Sequence, residues 1–262
     1  MKLSISNIAW SAAEDETYYK ILQKKGVLGL EIAPTKLFGK APYEKTDEAK
    51  EWSKWLKYKY NLEVSSMQSI WFGRQERLFV DSEDRNILLA YTKNAIEFAE
   101  SINCHNIVFG CPKNRNRDGI NVNEIAMEFF GVIGDYAYEH NTVIAMEANP
   151  TIYGTDYINT TTEAIKLVKM VGSKGFKVNL DFGTIIENQE GLSEIEGFVD
   201  IINHVHISEP HLAVIKQRDE HLELKKILEK DLYANYISIE MKDSGRKEDI
   251  LGTIQYVKGV FG

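Results

Sequence analysis

Short apolar runs recur along the whole chain, and between them lie longer segments in which apolar residues return every three or four positions. The short runs are typical of buried strands, and the longer segments are typical of amphipathic helices. Strands are predicted at residues 3–9, 28–33, 62–69, 106–111, 142–148, 177–182, 202–208 and 236–241. Helices are predicted at Thr17–Lys25, Thr46–Tyr60, Asp84–Ser101, Asn123–His140, Thr161–Val171, Leu192–Val199, His221–Lys230 and Lys247–Val260.

Eight strands that alternate with eight helices indicate an α/β protein with one closed (β/α)8 barrel, a TIM barrel, as a single domain over residues 1–262. Each unit takes about 33 residues, which fits a right-handed parallel crossover. An open doubly wound sheet is the competing topology. That fold usually carries a glycine-rich turn after its first strand, and residues 4–15 contain no glycine.

Charge and composition limit which partners and which cellular compartment are expected for the protein. The net charge of −8 argues against a nucleic-acid-binding surface, which is normally basic. No apolar run approaches the roughly 18 residues of a membrane span, so a cytoplasmic protein is expected. Cys104 and Cys111 flank one predicted strand, where a disulfide is not feasible, and they are expected to remain reduced.

Four consecutive predicted strands each end in a residue that can bind a metal ion: Glu147, Asp181, His206 and Glu240. One such carboxylate is more often a helix cap or an ion-pair partner. Four at successive strand ends meet at the mouth of a barrel, and burying three carboxylates together is costly unless a cation holds them. The oxygen-rich set predicts one divalent metal ion, with Mn²⁺ preferred and Mg²⁺, Co²⁺ or Zn²⁺ as alternatives.

The same four positions suggest a reaction. A divalent ion chelated by adjacent carbonyl and hydroxyl oxygens stabilises the enediolate that forms when a carbon-bound proton is removed. Glu147 and Glu240 come from the fifth and eighth strands and are predicted to act as catalytic base and acid. The expected activity is isomerisation or epimerisation of a sugar or sugar phosphate. Two alternatives stay open, namely a dehydratase or lyase acting on a hydroxy-acid or keto-acid, and a sugar-binding barrel without catalysis.

At these residues the chain resembles the xylose isomerase-like TIM barrel superfamily, which includes sugar phosphate isomerases/epimerases, ketose 3-epimerases and endonuclease IV. The resemblance covers essentially the whole chain, and its most specific segments are EANP at 147–150, NLDFGT at 179–184, HVHISEP at 204–210 and SIEMK at 238–242. The 3-epimerase branch implies the same four metal ligands, the same glutamate pair and a homodimer or homotetramer.

The chain departs from the 3-epimerases at three positions that would contact sugar hydroxyls. Thr184, Tyr153 and Leu212 stand where those enzymes have a histidine, a glutamate and an arginine. A free ketose is therefore not the expected substrate. Endonuclease IV needs additional histidines for three metal ions, and the chain has only six in all.

Further polar residues are predicted around the mouth. Gln68 ends the third strand and could hydrogen-bond a sugar, and Asn149 and Lys242 each lie two residues beyond a glutamate. Lys113 and Arg115, in the loop after the fourth strand, are suited to a phosphate or carboxylate. Two other residues are expected to support the site: His204 as a structural residue, and Glu31 as one that orients its neighbours.

Overall fold

A computed structural model describes all 262 residues, and its central feature is a closed barrel of eight parallel strands arranged in chain order. This confirms the predicted (β/α)8 barrel. All eight strands lie within or close to the predicted runs, and most are shorter. They are β1 Lys2–Ser6, β2 Gly29–Ile32, β3 Glu63–Met67, β4 Ile107–Phe109, β5 Ile144–Glu147, β6 Phe176–Asp181, β7 Ile202–Ile207 and β8 Tyr236–Ile239.

The helices surround the barrel, and none of them is both long and apolar enough to span a bilayer. Their apolar faces join the strands in a continuous hydrophobic core. They are α1 Asp15–Lys25, α2 Pro34–Phe38, α3 Thr46–Tyr60, α4 Ser82–Ser101, α5 Asn123–Glu139, α6 Thr161–Val171, α7 Phe182–Asn188, α8 Asp219–Lys230 and α9 Lys247–Phe261.

The predicted helix at Leu192–Val199 is wrong. The helix of this crossover is α7, which begins directly after β6 because the Asp181 carboxylate caps it by accepting a hydrogen bond from the Thr184 backbone N–H at 2.8 Å. The predicted range contains a 3₁₀ turn, Leu192–Ile195, and only the first residue of a second one, Val199–Ile201. Between the two turns, Gly197 has a φ of +78°, which interrupts helical geometry. The apolar spacing there reflects packing of a loop.

The two cysteines are free thiols on either side of β4, as expected from the sequence. Burial raises the pKa of each thiol to about 12. Neither is therefore a reactive thiolate near neutral pH.

Strand register brings the predicted ligands side by side at one end of the barrel. Asp181 on β6 pairs with His206 on β7, and His206 sits one residue before the end of its strand. Glu147 is the last residue of β5, and Glu240 directly follows β8. Because parallel strands end at the same face, all four side chains reach the carboxyl-terminal mouth, where barrel enzymes carry their active sites.

Candidate metal centre

The structure brings the four predicted ligands into one cluster. Glu147, Asp181, His206 and Glu240 each offer one ligand atom, and these atoms all lie within 4.8 Å of one another. His206 is fully buried, whereas 9% of the surface of Glu147 and 8% of that of Glu240 remain accessible to solvent. Asp181 is half-buried, so all three carboxylates border the open side of the cluster and His206 lies behind them.

The two nitrogens of the His206 ring face different partners. Nδ1 lies 2.9 Å from Glu147 Oε1 and 3.2 Å from Glu240 Oε2, while Nε2 lies 2.8 Å from Glu31 Oε2. A histidine that binds metal through one nitrogen usually donates its other N–H to a carboxylate, which fixes the ring and its tautomer. Glu31, expected to orient its neighbours, is placed where it would do this for His206.

His204 lies next to His206 on the same face of β7, one layer deeper in the barrel. Its Nε2 is 3.2 Å from the same Glu31 oxygen, but the two atoms are not aligned for a hydrogen bond. Burial lowers the pKa of His204, so a neutral ring is favoured. This placement is consistent with the structural role expected for it.

Amide side chains hold both glutamates in place. Gln68 Nε2 donates to Glu240 Oε1 at 2.9 Å, and Asn149 Nδ2 donates to Glu147 Oε2 at 3.1 Å. Both amides were predicted to contact substrate, and in the structure they fix the carboxylates. Asn179 Nδ2 also donates to Glu147 Oε1, at 2.8 Å. The sequence reasoning missed Asn179, although its position two residues before Asp181 places it on the same face of β6.

Asp181 belongs to the cluster and also caps the N-terminus of α7. Its Oδ2 accepts hydrogen bonds from the backbone N–H and the hydroxyl of Thr184, both at 2.8 Å, and its Oδ1 accepts one from the Ser208 hydroxyl. A carboxylate has about four acceptor positions, so Oδ1 retains capacity for one more partner. The residue can thus cap α7 and still serve as a ligand.

The three cations predicted near the mouth lie in different surroundings. Lys113 and Lys242 are exposed, whereas Arg115 is completely buried. The Arg115 guanidinium donates to the Glu147 carbonyl and to Asn149 Oδ1, both at 2.9 Å. Lys113 and Arg115 therefore do not form a common anion-binding loop. Instead, Arg115 orients the Asn149 amide so that its NH₂ group faces Glu147.

The charge balance of the cluster fits a divalent cation. Burial, together with the charge of Glu147, raises the pKa of Asp181 to about 6, and burial raises that of Glu240 to about 7. Burial alone would lower the pKa of His206, but the charges of Glu240 and Glu31 raise it well above its usual value. The buried guanidinium of Arg115 is directed at carbonyl oxygens and not at the carboxylates. Without a metal ion, a proton on His206 is the charge that offsets the carboxylates. A divalent cation would displace that proton, and carboxylate with imidazole is a donor set suited to Mn²⁺ or Mg²⁺.

Metal binding to this cluster should strengthen as the pH rises. Because the pKa values of Asp181 and Glu240 are raised in the folded state, their contribution to stability is present below about pH 4 and is lost as the pH rises through about 6 and 7. A bound cation neutralises the ionised carboxylates and so restores the stability that the folded protein loses at higher pH. We expect saturating Mn²⁺ to raise the melting temperature of chelator-treated protein more at pH 7.5 than at pH 5. An equal or larger increase at pH 5 would contradict this.

Three solved structures illustrate the similarity of the whole fold. A D-psicose 3-epimerase from Clostridium cellulolyticum H10 aligns with a TM-score of 0.81 and 16% identity, over 100% of this chain and 99% of that one. A 3-keto-D-glucoside 4-epimerase from E. coli aligns with a TM-score of 0.77 and 18% identity, over 99% and 98%. A family 2 AP endonuclease from Brucella melitensis aligns with a TM-score of 0.73 and 19% identity, over 95% and 96%.

At such identities these likenesses establish the fold alone. No curated protein sequence is significantly similar to the chain. The family described as xylose isomerase-like TIM barrel matches residues 19–258, which is nearly the whole sequence. The chain therefore belongs to the xylose isomerase-like TIM barrel family.

Proposed function

We propose that the protein is a divalent-metal-dependent isomerase or epimerase of a sugar, acting by proton transfer between carbon and two glutamates. The observation that carries the proposal is the arrangement of Glu147 and Glu240 around His206 Nδ1, with each carboxylate held by its own amide donor. Family membership and the sugar epimerases among the similar structures support this reaction class.

Glu147, Asp181, His206 and Glu240 would hold the metal ion. When bound, a divalent ion supplies Lewis acidity, which polarises neighbouring carbonyl and hydroxyl oxygens and acidifies the C–H bond beside the carbonyl. We propose Mn²⁺ as the bound ion, with Mg²⁺, Co²⁺ or Zn²⁺ as alternatives.

The two glutamates divide the proton transfer between them. One carboxylate removes the proton from the carbon beside the carbonyl, and the other, already protonated, returns a proton to the opposite face or to the adjacent carbon. Gln68 and Asn149 keep the two carboxylates in orientation, so that little rearrangement is needed on substrate binding.

The substrate we propose is a sugar other than a free ketose. The Thr184 hydroxyl shares its single hydrogen between Asp181 Oδ2, at 2.8 Å, and the Ala148 carbonyl oxygen, at 2.9 Å. The Tyr153 hydroxyl accepts a hydrogen bond from the His211 backbone N–H at 2.8 Å. Two of the three positions that differ from the ketose 3-epimerases thus bond within the protein, which supports a different set of contacts to the substrate.

Incubation with candidate sugars in D₂O tests the proposal. We expect deuterium to appear at the carbon next to the carbonyl in the presence of Mn²⁺, and we expect chelation to abolish the exchange, with proton NMR as the readout. Loss of water from the substrate without deuterium uptake would contradict the proposal and favour the lyase chemistry. Exchange that persists after complete metal removal would exclude the metal-dependent scheme.

A further inference from the structure

The metal centre is only narrowly open in this conformation. Glu147 and Glu240 keep 9% and 8% of their surface accessible to solvent, and His206 is fully buried. None of the five best-defined clefts of the protein surface is lined by any of the four predicted ligands. A sugar is much larger than water, so it could reach the two glutamates only if a segment at the barrel mouth moved.

The segment best placed to move is the loop that joins β7 to α8, residues 208–218, which we call the β7 loop. It begins at the metal centre, where the Ser208 hydroxyl donates a hydrogen bond to Asp181 Oδ1. Its base is fixed by the buried carboxylate of Glu209, which accepts hydrogen bonds from Nε and Nη2 of Arg218 at 2.8 and 2.6 Å. The tip between these contacts can therefore move while the base stays in place.

The tip of the β7 loop contains two strained residues in succession. His211 and Leu212 have φ angles of +60° and +54°. For a residue with a side chain this left-handed conformation is unfavourable, because Cβ lies too close to the following carbonyl oxygen. Strain of this kind persists only where the surrounding structure holds the backbone, and it is concentrated at functional sites. The tip would thus leave this conformation if its contacts were broken.

Two hydrogen bonds hold the tip across the barrel mouth. The His211 backbone N–H donates to the Tyr153 hydroxyl oxygen at 2.8 Å, and the Leu212 carbonyl oxygen accepts from the Lys242 backbone N–H at 2.9 Å. Tyr153 belongs to the segment after β5, and Lys242 belongs to the segment after β8. The tip therefore connects the segments that follow the two predicted catalytic glutamates.

Tyr153 is the contact that can release the tip. The bond to Lys242 joins two backbone groups, whereas the Tyr153 hydroxyl is the end of a half-buried side chain that can change its rotamer. Burial raises the pKa of Tyr153 to about 12, and the charges of Asp181, Glu240 and Glu147 contribute to the increase. The hydroxyl is thus protonated near neutral pH and lies close to the metal centre.

We infer that the tip of the β7 loop is a strained strap across the barrel mouth, held closed by the Tyr153 hydroxyl, and that breaking this hydrogen bond opens the metal centre to substrate. The strain at His211 and Leu212 favours the open state, and the bond to Tyr153 favours the closed state. A change in either one shifts the population between the two. The need for opening rests on the proposed function, because it arises from the size of the substrate.

Hydrogen–deuterium exchange followed by mass spectrometry tests the strap in the full chain, without metal or sugar. Tyr153→Phe keeps the ring and removes the oxygen that accepts from the His211 N–H. Loss of one such bond changes a local equilibrium by about twofold to tenfold, so peptides that cover residues 209–213 should exchange that much faster. Leu212→Gly should slow their exchange by about twofold to fivefold, because glycine adopts the left-handed conformation without strain.

Tyr157→Phe is the matched control. It removes a phenolic oxygen from the same segment after β5, but the Tyr157 ring packs against Phe79, with the ring centres 4.8 Å apart. Exchange of the β7 loop should therefore remain as in the unchanged protein. Unaltered exchange of the loop in Tyr153→Phe, or faster exchange in Leu212→Gly, would overturn the inference. Faster exchange throughout the chain in Tyr153→Phe would also overturn it, since that result indicates general destabilisation.

The rate of Mn²⁺ release into excess EDTA measures whether the strap controls access, because the hydrated ion must leave through the mouth. We expect release to be faster in Tyr153→Phe and slower in Leu212→Gly than in the unchanged protein. Equal release rates in proteins whose loop exchange differs would refute control of access by the strap.

The inference and the proposed function fail separately. If the β7 loop responds to both substitutions as expected but no sugar takes up deuterium, the strap stands and the proposed reaction falls. If a sugar takes up deuterium while the loop responds to neither substitution, only the strap is refuted.

Discussion

Glu147→Gln and Glu240→Gln should each lower kcat by about 10²–10⁴-fold, the range lost when a positioned proton-transfer group is removed. Neither amide can accept a proton near neutral pH, so inversion or transfer of the carbon-bound hydrogen stops at one of its two steps. Both residues keep a small exposed fraction at the barrel mouth, where a substrate would arrive. The measurement is the rate of product formation by NMR, with bound metal determined in parallel.

Partial reactions separate a catalytic loss from a general loss of structure. If the reaction is an epimerisation, each variant should still exchange deuterium into the one epimer whose C–H bond faces the remaining glutamate, without inverting it. Glu48→Gln, a change at an exposed glutamate of α3, should retain full activity. Activity that survives in both active-site variants would refute the two-glutamate scheme.

His206→Ala should weaken metal binding more than any change outside the four predicted ligands. The substitution removes the nitrogen that faces Glu147 and Glu240, and it leaves those carboxylates buried beside one another. Replacing a partner that only orients a ligand typically costs 10–100-fold in metal affinity. We expect Glu31→Gln to fall in that range, because its oxygen contacts Nε2 of the same ring, and His206→Ala to exceed it.

Titration with Mn²⁺ followed by calorimetry measures both effects, and circular dichroism at each step verifies that the variants fold. Restored affinity in Glu31→Asp compared with Glu31→Gln would indicate that charge, and not only shape, is needed behind His206. If Glu31→Gln binds Mn²⁺ as tightly as the unchanged protein, Glu31 has no orienting role. If His206→Ala binds Mn²⁺ as tightly as the unchanged protein, the predicted ligand set is wrong.

The sequence was most informative where a local pattern carries the structural signal. The runs that end in Glu147, Asp181, His206 and Glu240 are apolar, bounded and regularly spaced, and the structure confirms a strand for each. The segment after β6 was predicted incorrectly because a seven-residue helix that starts at its own cap leaves little periodicity, whereas the loop after it mimics a helical pattern.

The polar environment of the cluster could not be predicted in the same way. Gln68 contacts Glu240 across 172 positions of sequence, and Glu31 contacts His206 across 175. Arg115 shows the limit most clearly. As part of a charged loop it resembles a solvent-facing anion binder, yet it is buried and fixes the Asn149 amide.

By itself, the sequence determined the barrel, the order of its strands and the four residues at their ends, because hydrophobic periodicity and strand-end position are properties of neighbouring residues. The tertiary structure alone decided which nitrogen of His206 faces Glu147 and Glu240, and which amides hold these two glutamates. Those features depend on closure of the barrel, which brings distant strands to hydrogen-bonding distance and gives each buried polar group its partner.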